Sequence, residues 1–153
     1  MAEYGATVVW RRDGAAFTDG RYNRGHRWQF DGGVEVLASA SPHVVPAPMS
    51  VEAAVDPEEA FVAALASCHM LWFLSFAAKA GYVVESYSDE AIGVMGQIAE
   101  GKLAMTEVTL RPAVVFASEH GPTPEQLQQL HHRAHEQCFI ANSVKTTIRC
   151  EPQ

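Results

Sequence analysis

The feature that most constrains this chain is a long apolar stretch near its middle, Asp56–Tyr82 (DPEEAFVAALASCHMLWFLSFAAKAGY). Its ends carry helix signals. Asp56 can cap the first turn, Pro57 suits the first helical position, and Gly81 can close the last turn in the left-handed conformation. Between the acidic first turn and Lys79 there is no formal charge. The stretch therefore predicts one long helix with no face suited to water, which another part of the protein must cover.

The predicted helix is nearly long enough to cross a membrane, since a span needs about 20 apolar residues. However, the polar side chains of Ser67, Cys68, His69 and Ser75 interrupt the run, and no basic cluster flanks it. The rest of the chain has the alternating patterns of amphipathic strands. We therefore expect a wrapped sheet or a second subunit, and not a lipid bilayer, to cover the helix.

Length and charge limit the class of protein. The 153 residues fit a single domain over 1–153. A net charge of -7 and a pI near 5.4 argue against binding to nucleic acid or to anionic membranes, which requires clustered Lys and Arg. The N-terminal residues lack the pattern of an export signal. Three widely spaced cysteines fit a reducing compartment, so the cytoplasm is the expected location.

The order of the predicted elements is that of an α+β protein. The strands are predicted at Ala6–Arg12, Arg27–Ala38 (a hairpin), Glu90–Ala99, Glu107–Phe116 and Ser143–Cys150. A proline-rich loop, Ser39–Val55, leads to the long helix. Thr123 and Gln126 form a capping box that begins a second helix, which runs to about Cys138. The apolar helix has more surface than one thin sheet can cover in so small a chain, so we expect an oligomer.

The cysteines are the first candidates for chemistry. Cys68 lies at the centre of the long helix, and Cys138 lies on the inward stripe of the second helix. If the two helices pack together, the two thiols could come within reach of a disulfide. Cys68 can equally be an ordinary core cysteine, because free cysteine is among the most buried residue types. Cys150, on an apolar strand stripe, is interpreted as structural.

A metal site is the rival hypothesis, suggested by four histidines, His69, His131, His132 and His135. His131, His135 and Cys138 follow one another at spacings of four and three, which places them on neighbouring positions of a helix. Cys68 could complete a tetrahedron with them. The histidines His131, His132 and His135 can equally form a solvated flank. The residue pattern alone leaves both interpretations open.

Two segments resemble the signature cysteine motifs of the OsmC/Ohr family, the osmotically inducible and organic hydroperoxide resistance proteins. They are D-P-E-E-x-F-x-A-A-x-x-x-C at Asp56–Cys68 and A-H-x-x-C at Ala134–Cys138. The order of elements agrees along essentially the whole chain, and Phe139 stands where many members have proline. The resemblance implies an OsmC-like fold, with antiparallel sheets wrapped around two long central helices, in an intertwined homodimer with two sites at the subunit interface.

The same resemblance implies a thiol-dependent peroxidase that reduces organic hydroperoxides without a metal or an organic cofactor. Cys68 would be the peroxidatic thiolate and Cys138 the resolving thiol, with a dithiol of the lipoyl type as reductant. Glu58 matches the family's acidic residue. Arg24, or in second place Arg21, would match the arginine that stabilises the thiolate. The alternative is a non-enzymatic redox sensor, or a protein that binds metal through Cys and His.

The chemistry calls for these residue types. A thiolate attacks a peroxide oxygen and becomes a sulfenic acid, which a nearby thiol captures as a disulfide, and an arginine lowers the pKa of the attacking thiol. A pocket that favours organic peroxides is predicted from Phe61, Leu65, Trp72 and Phe76, although these side chains can equally be plain core. Ten helical positions span roughly 15 Å, so Glu58 cannot touch Cys68 within one subunit. We expect antiparallel helices of two subunits, or the arginine, to bridge them.

Overall fold

The computed structural model describes residues 1–117 and 121–153. The strands are β1 (Ala6–Val9), β2 (His26–Phe30), β3 (Glu35–Ala38), β4 (Val84–Asp89), β5 (Ile92–Gln97), β6 (Leu103–Leu110), β7 (Pro112–Phe116) and β8 (Thr147–Cys150), and the helices are α1 (Pro57–Lys79) and α2 (Pro124–Gln137). Short 3-10 helices cover Ala99–Gly101 and Ala141–Ser143. The chain forms two compact units, Met1–Ala60 and Phe61–Gln153, with their boundary near the start of α1.

The first unit is built on an antiparallel sheet in the order β1-β2-β3. Trp28 of β2 lies opposite Val8 of β1 and Val36 of β3, as the predicted hairpin requires. The predicted loop is also confirmed, because the chain between β3 and α1 forms no regular element. It is held by side chains such as that of Ser39, whose Oγ accepts a hydrogen bond from the Val51 N–H at 2.9 Å.

Both helices begin where the sequence predicts. The Asp56 carboxylate accepts the Glu59 N–H at 2.7 Å, and the Glu59 carboxylate accepts the Asp56 N–H at 3.2 Å. The capping box of Thr123 and Gln126 is also formed at the start of α2. Each reciprocal pair satisfies backbone donors that the first turn leaves free, which fixes the start of the helix.

The second unit contains two further sheets. β4 pairs with β7 in an antiparallel ladder, and a second sheet has the order β5-β6-β8. Within that sheet β5 and β6 are antiparallel, whereas β8 runs parallel to β6 with Ile148 opposite Val108. The final predicted strand is shortened, because Ala141–Ser143 forms a 3-10 helix and pairing with β6 begins only at Thr147.

The single strand expected over Glu107–Phe116 is wrong. The chain breaks at Arg111, so that β6 and β7 belong to different sheets. Pro112 has no N–H to donate to a ladder, and the Arg111 N–H is bound at 2.7 Å by the Asp89 carboxylate. β4 is missing from the predicted elements because its polar sequence, VESYSD, lacks the apolar alternation of a half-buried strand.

The core of the second unit lies against one stripe of α1. The buried residues of α1 are Leu65, His69, Phe73, Phe76 and Ala77. Phe73, Phe76 and Ala77 pack with Leu130 and Ala134 of α2. By length and composition α1 is apolar enough to cross a membrane, yet this stripe packs on protein. Other apolar side chains of the helix stay open, and Leu71 is 61% exposed.

Candidate functional site

The second unit brings together two of the predicted site residues, Cys68 and Cys138. Cys68 projects from the middle of α1 and is partly exposed, whereas Cys138 caps the C-terminus of α2 and is 1% exposed. The two thiols are close enough that Cys68 adds to the rise that burial causes in the pKa of Cys138. Both thiols are free. An accessible thiol therefore lies beside a buried one at the contact between two helices.

The surroundings of Cys138 keep it protonated at neutral pH. Burial raises the pKa of the Cys138 thiol to about 11, and the neighbouring Cys68 thiol adds to the rise. The Ala141 N–H, 3.4 Å from Cys138 Sγ, acts in the opposite direction but is outweighed. Because the thiolate is the nucleophile, Cys138 is a poor first attacker at neutral pH. The more exposed Cys68 is the better placed of the two to meet a substrate.

Aromatic side chains extend from the thiol pair. The rings of Trp72 and Phe139 lie 5.5 Å apart in a T-shaped pair, and Trp72 stacks on Phe76 at 5.4 Å. Phe139 directly follows Cys138 and is 67% exposed. Of the residues predicted to form a pocket, Leu65 and Phe76 belong to the buried core and Phe61 packs beside it. Trp72 and Phe139 therefore provide the accessible apolar surface.

The predicted acidic residue, Glu58, lies in the first turn of α1 and in the first unit. Its Oε2 atom is buried and has no hydrogen-bond partner within the described part of the chain. No ion pair joins it to Arg24 or Arg21 among the described residues, although all three belong to the same unit. A buried carboxylate oxygen without a partner is costly, so this atom is a natural acceptor for a group from outside the chain.

The two predicted arginines differ in how firmly they are held. The guanidinium of Arg24 lies 3.6 Å from the centre of the Tyr22 ring and donates to the Gly20 carbonyl at 2.7 Å and to the Tyr22 carbonyl. Its backbone N–H donates to the Met49 carbonyl at 2.8 Å. Arg21 is exposed. Arg24 is thus the more ordered of the two, held by its own segment.

The rival metal set of Cys68, His131, His135 and Cys138 is not the group that the structure brings together. Within the ranges 1–117 and 121–153, the group of three metal-ligand side chains with mutually close donor atoms is His69, His131 and Cys150. From the sequence alone, Cys150 is interpreted as structural, and His131 is either a metal ligand or part of a solvated flank. His131 directly follows Leu130 of the inward stripe and is itself buried, and this neighbourhood is the sequence feature that favours a buried histidine over a solvated one.

Comparisons with known proteins identify the family and the fold. The profile of one protein family, described as OsmC-like protein, matches residues 50–153. The structure is similar to that of an OsmC-like protein of unknown function from Vibrio cholerae, with 60% identity over 100% of both chains and a TM-score of 0.97. No curated protein matches the chain.

More distant structures share the fold. An organic hydroperoxide resistance protein from Elizabethkingia anophelis is 21% identical, with a TM-score of 0.72 over 99% of this chain and 94% of that one. The organic hydroperoxide resistance protein OhrB of Bacillus subtilis is 18% identical, with a TM-score of 0.66 over 98% of each chain. At these identities the likeness extends to the α+β fold.

Proposed function

Because the chain belongs to the OsmC-like protein family, we propose that it is a thiol-dependent peroxidase that reduces organic hydroperoxides. The observation that carries the proposal is the pairing of an accessible Cys68 with a buried Cys138. This asymmetry suits a cycle in which one thiol meets the substrate and the other resolves the oxidised intermediate. Two distant relatives of the same fold are organic hydroperoxide resistance proteins.

The first step oxidises Cys68. Its thiolate attacks the terminal oxygen of the hydroperoxide, the O–O bond breaks, and the alkoxide that leaves takes up a proton to become an alcohol. Cys68 becomes a sulfenic acid. The half-exposed position of Cys68 on α1 gives a peroxide access to the sulfur.

The second step forms a disulfide. The Cys138 thiol gives up its proton and its sulfur attacks the sulfenic sulfur of Cys68; an S–S bond forms, the S–O bond breaks, and the hydroxyl leaves as water with a proton equivalent to the one that Cys138 lost. A dithiol, for which the lipoyl type is our proposal, then reduces the disulfide by exchange and is itself oxidised. Because the pKa of Cys138 is raised to about 11, this thiol stays protonated and does not compete for the peroxide; it reacts once the adjacent sulfur becomes an electrophile.

The apolar surface near the pair gives the substrate preference. Trp72 lies one helical turn after Cys68 and Phe139 directly follows Cys138; their rings are 5.5 Å apart, and Phe139 is 67% exposed. An alkyl or aryl hydroperoxide can bury its organic group on such a surface, whereas hydrogen peroxide has no apolar part to bury. We therefore expect organic hydroperoxides to react faster than hydrogen peroxide.

A second copy of the chain is part of the proposal. α1 has no formal charge between its first turn and Lys79, yet only one stripe of it is buried, and Leu71 is 61% exposed. A homodimer would cover this surface. It would also bring an arginine, for which Arg24 is the first choice and Arg21 the second, to the unpartnered Glu58 and to Cys68. The cytoplasm, where thiols stay reduced, is the expected site of action, with no nucleic-acid or membrane partner.

A peptide mass map under non-reducing conditions tests the function. Reduced protein receives one equivalent of an organic hydroperoxide, is quenched with an alkylating agent and is digested. We expect a Cys68 to Cys138 disulfide within the mixing time, and the variants Cys68→Ser and Cys138→Ser should not form it. If all three thiols stay reduced, or if hydrogen peroxide reacts faster than the organic peroxide, the proposal is wrong.

A further inference from the structure

A second cluster of reactive side chains lies in the interior of the same unit. It joins His69 of α1, His131 of α2 and Cys150 at the end of β8. The Nε2 atom of His69 lies 3.0 Å from Nδ1 of His131 and 3.8 Å from Sγ of Cys150. His69 is 1% exposed and His131 is 3% exposed. Three separate elements thus aim donor atoms at one buried point.

We propose that His69, His131 and Cys150 bind a divalent transition-metal ion of the zinc type. The centre shares no ligand with the Cys68 and Cys138 pair, so it is a site additional to the peroxidase chemistry.

The spacing of the donor atoms matches a tetrahedral centre. With zinc–nitrogen bonds of about 2.0 Å and a zinc–sulfur bond of about 2.3 Å, tetrahedral angles place two nitrogens roughly 3.3 Å apart and a nitrogen and a sulfur roughly 3.6 Å apart. The distances here are 3.0 Å and 3.8 Å. These two separations differ from the tetrahedral values by a few tenths of an ångström, and the third pair, His131 and Cys150, has its donor atoms within 4.8 Å of each other.

The protonation states also suit a metal. Burial lowers the pKa of His69 and His131 to about 4, so both imidazoles are neutral at pH 7 and offer a lone pair. Burial raises the pKa of Cys150 to about 12, so a bound cation would displace the thiol proton, and each ion bound would release one proton. Nitrogen and sulfur donors select zinc and similar ions over magnesium or calcium.

Further polar atoms around the cluster lack partners. His69 Nδ1 and His131 Nε2, the ring nitrogens that are not the proposed ligands, are buried without a hydrogen-bond partner in the described part of the chain, as are Tyr87 Oη and Asp89 Oδ2. Burial is the main cause of the raised pKa of Cys150 and of Tyr87, and the charge of Asp89 adds to both, which places these groups within electrostatic range of one another. Native interiors rarely keep so many unpartnered polar atoms together, because each costs about 1–3 kcal/mol.

A cleft gives an ion and its water a route to the site. It has a volume of about 620 Å³, and its lining includes two of the three ligands, His131 and Cys150. Glu125, His132 and His135 also line it and give it a polar wall. Three protein ligands leave one tetrahedral position for water or for a small ligand that enters through the cleft.

Cobalt provides the decisive test, because the chain has only three cysteines. The double variant Cys68→Ser/Cys138→Ser retains Cys150 alone, so any thiolate-to-cobalt charge-transfer band must arise from Cys150. Full-length, untagged protein is reduced, stripped with a chelator and titrated with Co²⁺ alone. We expect one equivalent per chain with that band and the visible absorption of a four-coordinate ion, both removed by Zn²⁺. If the folded double variant takes up no cobalt, or shows no such band, the proposal is wrong.

Single variants in the double-variant background assign the ligands. Cys150→Ser should abolish the charge-transfer band and weaken zinc binding by roughly 100-fold or more, because even the loss of a hydrogen-bond partner of a metal ligand can cost that much. His131→Gln should weaken zinc binding by a similar factor. His132→Gln is the matched control, because its side chain is exposed one position away. Binding that survives Cys150→Ser, or that falls equally with His132→Gln, would overturn the assignment. Circular dichroism verifies that each variant is folded. If a further substitution unfolds the protein, the cobalt spectrum of the double variant alone tests the proposal.

Discussion

Two groups of side chains, which share α1 and the α2 region, differ in exposure and polarity. Cys68 and Cys138 pair an accessible thiol with a buried one, whereas His69 and His131 are both buried beside Cys150. Consecutive residues of α1, at positions 68 and 69, point to different surroundings because successive helical positions are rotated by about 100°. One pair of packed helices can thus support a site with a partly exposed thiol and a second site whose two histidines are buried and which is reached through a cleft.

Cys68→Ser should separate the two groups most sharply. The substitution removes the attacking thiol, so peroxidase activity should fall by about 10³-fold or more, while the histidine cluster keeps its cobalt binding. Initial rates with an organic hydroperoxide and a dithiol reductant measure the first effect. Cys150→Ser is the matched control, and it should retain activity. Equal losses of activity in the two variants would contradict independent sites.

Phe73→Ala should weaken metal binding at the histidine cluster more than it weakens disulfide formation between Cys68 and Cys138. Phe73 is fully buried, and its ring stacks on that of His131 at 4.4 Å. Truncation of a buried phenylalanine costs about 3–5 kcal/mol, measurable by urea unfolding. Cobalt affinity should fall, whereas a Cys68 to Cys138 disulfide should still form in the folded fraction. Phe73→Leu, which keeps most of the volume, should show a smaller loss of stability.

Alkaline pH should weaken the protein through Cys138. Its pKa is about 11 when folded, above the ordinary thiol value of 9.0, so the folded state holds its proton more tightly. This stabilisation is complete below about pH 8.5 and is lost as the pH rises towards 11, with an upper limit of roughly 3 kcal/mol. Urea unfolding under a non-thiol reductant measures the loss. Cys138→Ala should show a shallower decline above pH 9, and parallel curves would contradict the assignment.

Thr123→Ala should have the smallest effect of these changes, and it should affect the two groups of side chains equally. The Thr123 hydroxyl accepts the Gln126 N–H at 3.2 Å and caps α2, which carries His131 and ends at Cys138. Loss of such a cap costs about 1 kcal/mol. We expect a uniform drop in unfolding free energy, with peroxidase rate and cobalt affinity nearly unchanged. A selective loss of either property would show that the N-terminus of α2 contributes directly to that site.

The helices could be predicted from local sequence signals, whereas the position of Cys150 could not, because it depends on pairing between strands far apart in the chain. The capping residues of α1 and α2 act within one turn, so their sequence patterns suffice. The position of Cys150 depends on the parallel pairing of β8 with β6, about 40 residues earlier in the chain, and no local pattern specifies that register. The polar strand β4 was missed for the same reason, since its order comes from β7.

The parallel pairing of β6 and β8 also has a consequence for the order of folding. Parallel strands need a crossover, and here β7 and α2 lie between the two partners in the chain. Contacts that close so long a loop form late and slow the overall rate. Cys150 is therefore expected to reach His69 and His131 near the end of refolding, after the antiparallel hairpin of β5 and β6. In refolding experiments with Co²⁺ present, the thiolate-to-cobalt band should therefore appear after most of the secondary structure has formed.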